Sequence, residues 1–320
     1  MTLSELVLPT TTARATSPSQ RPAVVVGGFA LDLLVLPRDA AELTAARRRL
    51  RRWVAVAVAA LAGATAGDLI TRVRVMSGGD LSEAIAALPA VLTRTHFGAI
   101  WIARAVALAL LAVASASSAP PVRAAGFVLS LGIALTSSLT GHAADWGDYS
   151  LSVLVDWLHA VAATTWTGGL FGLVLIARRD RPAWPPALLA VVARRFSRLA
   201  GYCLLVVAAS GIYNAWVHVP SLSSLWRTAY GEALVVKICL AAALAYIGAV
   251  NRYRVLPALD AVPETGARLS RLVAREAAIA VVVFGCTAVL AESTPKHHGG
   301  DMSHAPMAIL DHPSHLLRRR

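Results

Sequence analysis

The sequence predicts an all-α, polytopic membrane helix bundle of about eight transmembrane helices, and three observations carry the prediction. First, 57% of the 320 residues are hydrophobic and only 15% are charged, with a mean hydropathy of +0.61. A soluble domain of this size needs far more charge to cover its surface. Second, the apolar residues come in blocks of about twenty, long enough to cross a hydrocarbon core of about 30 Å at about 1.5 Å per residue. Third, the net charge of +12 is nearly all arginine gathered between those blocks. That is the pattern of topology signals rather than of a nucleic-acid groove, so the expected surroundings are a lipid bilayer and no nucleic acid.

In chain order, residues 1–21 form a polar N-terminal segment, too polar for the apolar region of a signal peptide. Residues 22–291 read as the transmembrane domain. Its first candidate span, Pro22 to Pro37, is apolar but only about 24 Å long as a helix. It also carries Asp32, so a re-entrant or interfacial segment competes with a true span. Seven clear spans follow, at roughly 53–70, 96–115, 122–140, 151–177, 199–218, 229–250 and 273–291. Residues 292–320 form a His- and Met-rich tail. Cys203, Cys239 and Cys286 all lie inside apolar blocks and imply no disulfide framework.

Sidedness follows from counting Lys and Arg. The connections at 38–52, at Arg123, at 178–198 and at 252–275 hold eighteen, whereas the alternate connections hold four, Arg72, Arg74, Arg94 and Arg227. The positive-inside rule then places loops 38–52, 178–198 and 252–272 in the cytoplasm and the C-terminal tail outside a bacterial inner membrane. The chain also shows signs of a 4+4 parallel repeat. Gly27-Gly28, Leu33-Leu34-Val35 and Arg38 parallel Gly168-Gly169, Val174-Leu175-Ile176 and Arg179; Phe97-Gly98 with Arg104 parallels Tyr230-Gly231 with Lys237. Parallel repeats about an axis along the membrane normal are a known transporter design.

The nine histidines all fall in the outer half of this topology. His96, His142 and His218 lie at outer ends of spans, and five more lie in the tail. His159 sits about 12 Å inside the fifth of the seven-plus-one spans. Singly, each reads as a solvated or interfacial residue; together they point to metal. One cluster runs from Gly141-His142-Ala-Ala-Asp145-Trp146 to Asp156-Trp157-Leu-His159 and Trp166. Asp156 and His159, three apart, share a helix face, where a carboxylate beside an imidazole would fix the ring's tautomer and raise its basicity as a ligand. The competing reading of His159 is an interhelical hydrogen bond. The second cluster is His297-His298-Gly-Gly-Asp301-Met302-Ser-His304, which continues to Met307, His312 and His315. Imidazole suits Cu(II) and thioether suits Cu(I), and the tail offers both, so the oxidation state stays open. Arg104 and Lys237 fit a copper path poorly. They are expected to pair with Asp68, Asp156, Glu232 or another acid, to meet an anionic group, or to snorkel.

These residues carry a resemblance. Thr140-Gly141-His142-Ala143, Asp156-Trp-Leu-His159 with Trp166-Thr-Gly-Gly-Leu170, and Arg195-Phe-Ser-Arg198 with Gly211-Ile-Tyr-Asn-Ala215 are similar to the copper resistance protein D family. Tyr230-Gly231 with Lys237, Asn251-Arg252-Tyr-Arg254-Val-Leu-Pro257, and Glu276 before Ser293-Thr294-Pro295 continue the same order, so the set covers roughly 240 residues. The resemblance implies eight membrane helices and a role in copper handling, with His142 and His159 as leading ligands. The chain departs from the family's pattern at its start, where Ala23-Val-Val-Val26 precedes Gly27, so no N-terminal ligand is inferred.

The expected function is copper transport or copper tolerance at the inner membrane, with copper as cargo and no enzymatic activity. The expected metal residues are His142, His159, Asp156 and His96, with His297, His298, Met302 and His304 in the tail. No soluble copper-binding domain is present in the 320 residues, so a separate periplasmic copper-binding protein is an expected partner. The absence of a P-loop argues against an ATP-driven pump. Two alternatives stand beside this reading. One is a b-type haem protein with His142, His159 or His96 as axial ligands and Arg104 or Lys237 at the propionates. The other is a non-transporting factor that delivers copper to a respiratory enzyme.

Overall fold

The computed structural model describes residues 23–257 apart from 79, 141–149, 181–183, 219–222, 224–225 and 227–228. Among these residues every regular element is helical. Helix α1 (Ala23–Ala30) runs into a π-helical turn at Leu31–Val35. It is followed by α2 (Thr44–Met76), α3 (Leu81–Arg94), α4 (His96–Ala116) and α5 (Pro120–Ser138). Then come α6 (Leu151–Asp180), α7 (Pro186–His218) and α8 (Ala229–Val250). Six of them, α2 and α4 to α8, are long and apolar enough to cross a membrane. The protein is therefore a polytopic membrane helix bundle. The predicted span 273–291 lies outside the described residues.

The helices exceed the predicted spans where charge allows. Helix α2 is about 50 Å long by its 33 residues, more than a bilayer core requires. Its arginines mark the excess, since Arg52 and Arg72 lie twenty residues, about 30 Å, apart along the axis. Helix α7 likewise starts at Pro186, well before residue 199, with its proline at the N-terminal position that a helix tolerates best.

The short first segment is the main surprise. Val25, Val26, Phe29, Ala30 and Leu31 are completely buried, so α1 is a central element and not an interfacial one. Its apolar length is short because it is enclosed by α2, α5 and α6 instead of meeting lipid all round. The closest approach is at Gly27, where an added Cβ would sit 2.2 Å from the backbone carbon of Gly168. Only a residue without a side chain permits that contact.

Asp32, which counted against a span, is satisfied by two arginines. Arg47 Nη1 donates to Asp32 Oδ1 at 2.8 Å, and Arg123 Nε donates to Asp32 Oδ2. Arg47 also uses Nη2 on the carbonyls of Leu36 and Pro37, at 3.2 and 2.8 Å, which ties the end of the π-helical turn to α2. Arg123, expected in a connection, is buried within α5 with its guanidinium 5.1 Å from the Phe29 ring centroid.

Helix α3 lies between the predicted spans 53–70 and 96–115, where the apolar blocks predict only a connection. It is amphipathic, with Leu81 and Ile85 exposed and Ala84 buried, the pattern of a helix lying in a membrane interface. Asp80 caps it, accepting from Ser82 N at 3.4 Å and Ser82 Oγ at 2.6 Å. The Ser82 hydroxyl is the main reason the Asp80 carboxyl titrates below its ordinary value. Thr95 then caps α4 through a 2.9 Å bond from Gly98 N.

Candidate metal site at one end of the bundle

Polar side chains collect at both ends of α5. Arg123 stands near its start and Ser138 at its end, fifteen residues or about 22 Å apart along the helix. The Arg123 end holds the Asp32 ion cluster. The Ser138 end holds the candidate site, to which α4, α6 and α7 also contribute.

Helix α6 supplies Asp156 and His159, both half-buried. Ser138 Oγ donates to Asp156 Oδ2 at 2.6 Å, and Trp157 Nε1 donates to the carbonyl of Leu131 at 3.0 Å. Two adjacent residues of α6 are therefore anchored on α5. His159 faces α7, where its Nδ1 lies 2.9 Å from Ser210 Oγ. The expected partnership is thus redistributed: the partner of the ring nitrogen Nδ1 is a serine hydroxyl on a neighbouring helix, and the carboxylate of Asp156 is bonded to another serine. Residues three apart on a helix differ by about 60° in direction, which is enough to address two different neighbours. Two turns deeper, Trp166 is buried and its Nε1 has no hydrogen-bond partner within the described structure.

Helix α4 supplies Arg104 and Trp101. Arg104 is buried, donating from Nε to Thr136 Oγ1 at 2.8 Å and from Nη2 to Thr136 O at 2.6 Å and Thr140 Oγ1 at 3.2 Å. Its guanidinium also lies 4.7 Å from the Trp101 ring centroid, within cation–π range. No carboxylate among the described residues bonds to it; Asp68, one of the expected partners, instead accepts from Arg72 Nε at 3.1 Å on its own helix. The last turn of a helix presents unpaired carbonyls and a partial negative charge. The end of α5 therefore places partial negative charge beside Arg104, and the Asp68 carboxylate adds to it through space.

His96 opens α4 and is exposed. Among the described residues no three His, Cys, Asp or Glu side chains converge as a metal-ligand group, so His96, Asp156 and His159 do not form a three-ligand set by themselves. His142 and the tail residues His297, His298, Met302 and His304 lie outside the described residues. So do Cys286 and the 141–149 cluster, while Cys203 is buried and Cys239 exposed. The partners that sequence reasoning missed are Ser138, Ser210, Thr136 and Thr140. Hydroxyl residues in apolar helices commonly bond back to their own backbone, so nothing in their spacing separates a partner of a functional group from a filler.

Comparison with known proteins follows the same lines. Two protein-family profiles match the chain: Copper resistance protein D over residues 190–290, and Copper resistance protein D-like, N-terminal domain, over residues 21–151. Among curated proteins, the chain is 31% identical over 218 residues to the copper transport protein CutJ of Bacillus subtilis (strain 168), a match covering 64% of this chain and 39% of the relative. It is 28% identical over 248 residues to Copper resistance protein D of Pseudomonas syringae pv. tomato, covering 73% of this chain and 80% of the relative. The match thus spans about two fifths of the Bacillus protein's length. No solved structure matches.

Proposed function

The chain belongs to the copper resistance protein D family, and from that premise we propose that it is a copper transport and tolerance protein of a bacterial inner membrane. Copper is gathered at the outer face by the tail residues His297, His298, Met302 and His304. It passes to His142, His159 and Asp156, with His96 at the rim, and moves through the bundle. A separate periplasmic copper-binding protein is the donor in this reading, and no enzymatic step is involved.

The observation that carries the reading is the placement of His159 and Asp156. Both lie inside α6 at the bundle end away from the Asp32–Arg47–Arg123 cluster, and each is tied to a different neighbouring helix. The arginine-rich end is cytoplasmic by the positive-inside rule, which puts this pair on the outer side, where copper arrives. Ionisable groups held inside membrane bundles are costly and mark ion pathways. His142 is two residues beyond Thr140, whose hydroxyl Arg104 holds, so the chain leads from a fixed helix end directly into the second proposed ligand.

Copper accumulation by cells expressing His159→Ala and His159→Gln tests the proposal. Both substitutions should abolish accumulation while membrane insertion and expression stay normal. Gln keeps hydrogen-bonding capacity but is a much poorer ligand, so near wild-type accumulation in His159→Gln would return His159 to a packing role. A visible spectrum of the purified protein checks the haem alternative: a Soret band lost in the same variant would reassign the site.

A further inference from the structure

Ser210 is a buried hydroxyl in an otherwise apolar stretch of α7. Its oxygen has three neighbours. Two are backbone carbonyls of its own helix, Val206 O at 2.5 Å and Val207 O at 3.3 Å; the third is His159 Nδ1 at 2.9 Å. A hydroxyl has one proton to give and two lone pairs to offer, whereas a carbonyl oxygen only accepts. The shortest contact, to Val206 O, takes the proton. The oxygen therefore meets His159 with a lone pair, and a hydrogen bond forms only if Nδ1 carries the ring's proton. A neutral imidazole has one N–H, so the lone pair resides on Nε2.

We propose that Ser210 is the positioning residue of the copper site: it holds His159 in the Nδ1–H tautomer and orients the ring so that Nε2 is the ligand atom. This rests on the reading of His159 as a copper ligand. The hydroxyl does the work that a carboxylate or carbonyl does for most ligating histidines, and it does so without adding charge. Val206 fixes the serine rotamer from below, so the chain of bonds runs from the backbone of α7 through Ser210 to the ring on α6. Ligand geometry is thereby coupled to the α6–α7 packing.

The test uses the full-length protein in lipid nanodiscs with 15N-labelled histidine, the His159 signals being identified by their loss in His159→Gln. In the wild type without copper, the His159 Nδ1 signal should be of the protonated type and Nε2 of the unprotonated type. Finding the proton on Nε2 overturns the proposal with no variant needed. Ser210→Ala should lose the fixed tautomer and weaken the His159-dependent component of copper binding, measured by competition with a chromophoric chelator, by on the order of tenfold. Ser210→Thr, which retains a hydroxyl able to bond back to residue 206, should stay within about twofold of wild type on the same scale. If His159→Gln loses copper but Ser210→Ala binds as wild type, Ser210 has no positioning role and the site stands. If His159→Gln itself binds as wild type, the underlying ligand assignment fails.

Discussion

Arg104 on α4 donates from Nη2 to the carbonyl oxygen of Thr136 at 2.6 Å, joining a buried cation to the last turn of α5. The same guanidinium reaches Thr136 Oγ1 and Thr140 Oγ1, a three-point grip that needs the planar fork of arginine. The grip sets the buried cation against the partial negative charge of a helix terminus, and the Asp68 carboxylate adds to that charge. The grip also holds the hydroxyl of Thr140, two residues before His142 in the sequence.

Arg104→Lys should therefore behave as a disruptive substitution despite preserving charge, because an ammonium cannot span the three acceptors. The expected loss is about 2 kcal/mol, the scale of hydrogen bonds to charged groups. It would be read as a lowered detergent melting temperature by fluorescence-detected size-exclusion. A variant as stable as wild type would mean that the grip contributes nothing to folding.

The sequence revealed the bundle because lipid-spanning length and arginine spacing are one-dimensional properties. Span ends at 96, 151, 218 and 250 are legible as boundaries between apolar blocks and charged or polar residues. The role of α1 was not legible, because burial inside a bundle and residence in an interface look alike over sixteen residues. What sets α1 apart is the backbone contact of Gly27 with Gly168, a pairing between distant parts of the chain that no local pattern reports. Helix α3 was missed because fourteen residues with Pro89 inside fall short of any span criterion. Asp156 and His159 are legible in the sequence as a polar pair three residues apart within an apolar block. Their serine partners are not, because those lie eighteen and fifty-one residues away in sequence.

Gly27→Ala should prevent accumulation of folded protein. Its Cβ would lie 2.2 Å from the backbone of α6, where no side chain can move aside, and overpacking of this kind costs about 1–3 kcal/mol or more. Gly63→Ala is the control. No described atom lies within 4 Å of that position, and replacing glycine inside a helix contributes up to about 1 kcal/mol. Monodisperse yield in detergent should fall for the first variant and hold or rise for the second. Equal yields would remove the α1–α6 contact as a structural determinant.

The Asp32 cluster predicts an asymmetry between partners. Asp32→Asn leaves Arg47 and Arg123 facing each other without their shared carboxylate, and removing one member of a buried pair costs about 3–5 kcal/mol. Arg123→Gln leaves Asp32 still paired with Arg47 at 2.8 Å, so its cost should be smaller. Thermal stability of the two purified variants checks the order. The reverse order would show that Arg123 acts chiefly through its contact with Phe29.

The arginine bias predicts the orientation of the whole site. A reporter enzyme fused between α6 and α7, at residues 181–185, should be active in the cytoplasm, and one fused after Thr294 should be active outside. Inverted activities would place Asp156 and His159 at the cytoplasmic side and make the same residues an exit from the bundle instead of an entrance.

The tail is expected to capture copper and not to conduct it. Seven His and Met residues fall within 297–315, in a Gly- and Pro-containing stretch that can bring bound ion to the mouth of the bundle. A tethered binding segment raises the local concentration of its ligand, and that advantage vanishes once the free ligand saturates the next site. Truncation after Pro295 should therefore lower copper accumulation by on the order of tenfold at limiting copper. At high external copper, accumulation should approach wild type. His159→Gln, by contrast, should fail at every concentration. If truncation also abolishes accumulation at every concentration, the tail is part of the conducting site, and the assignment of entry to His142 and His159 has to be extended to include it.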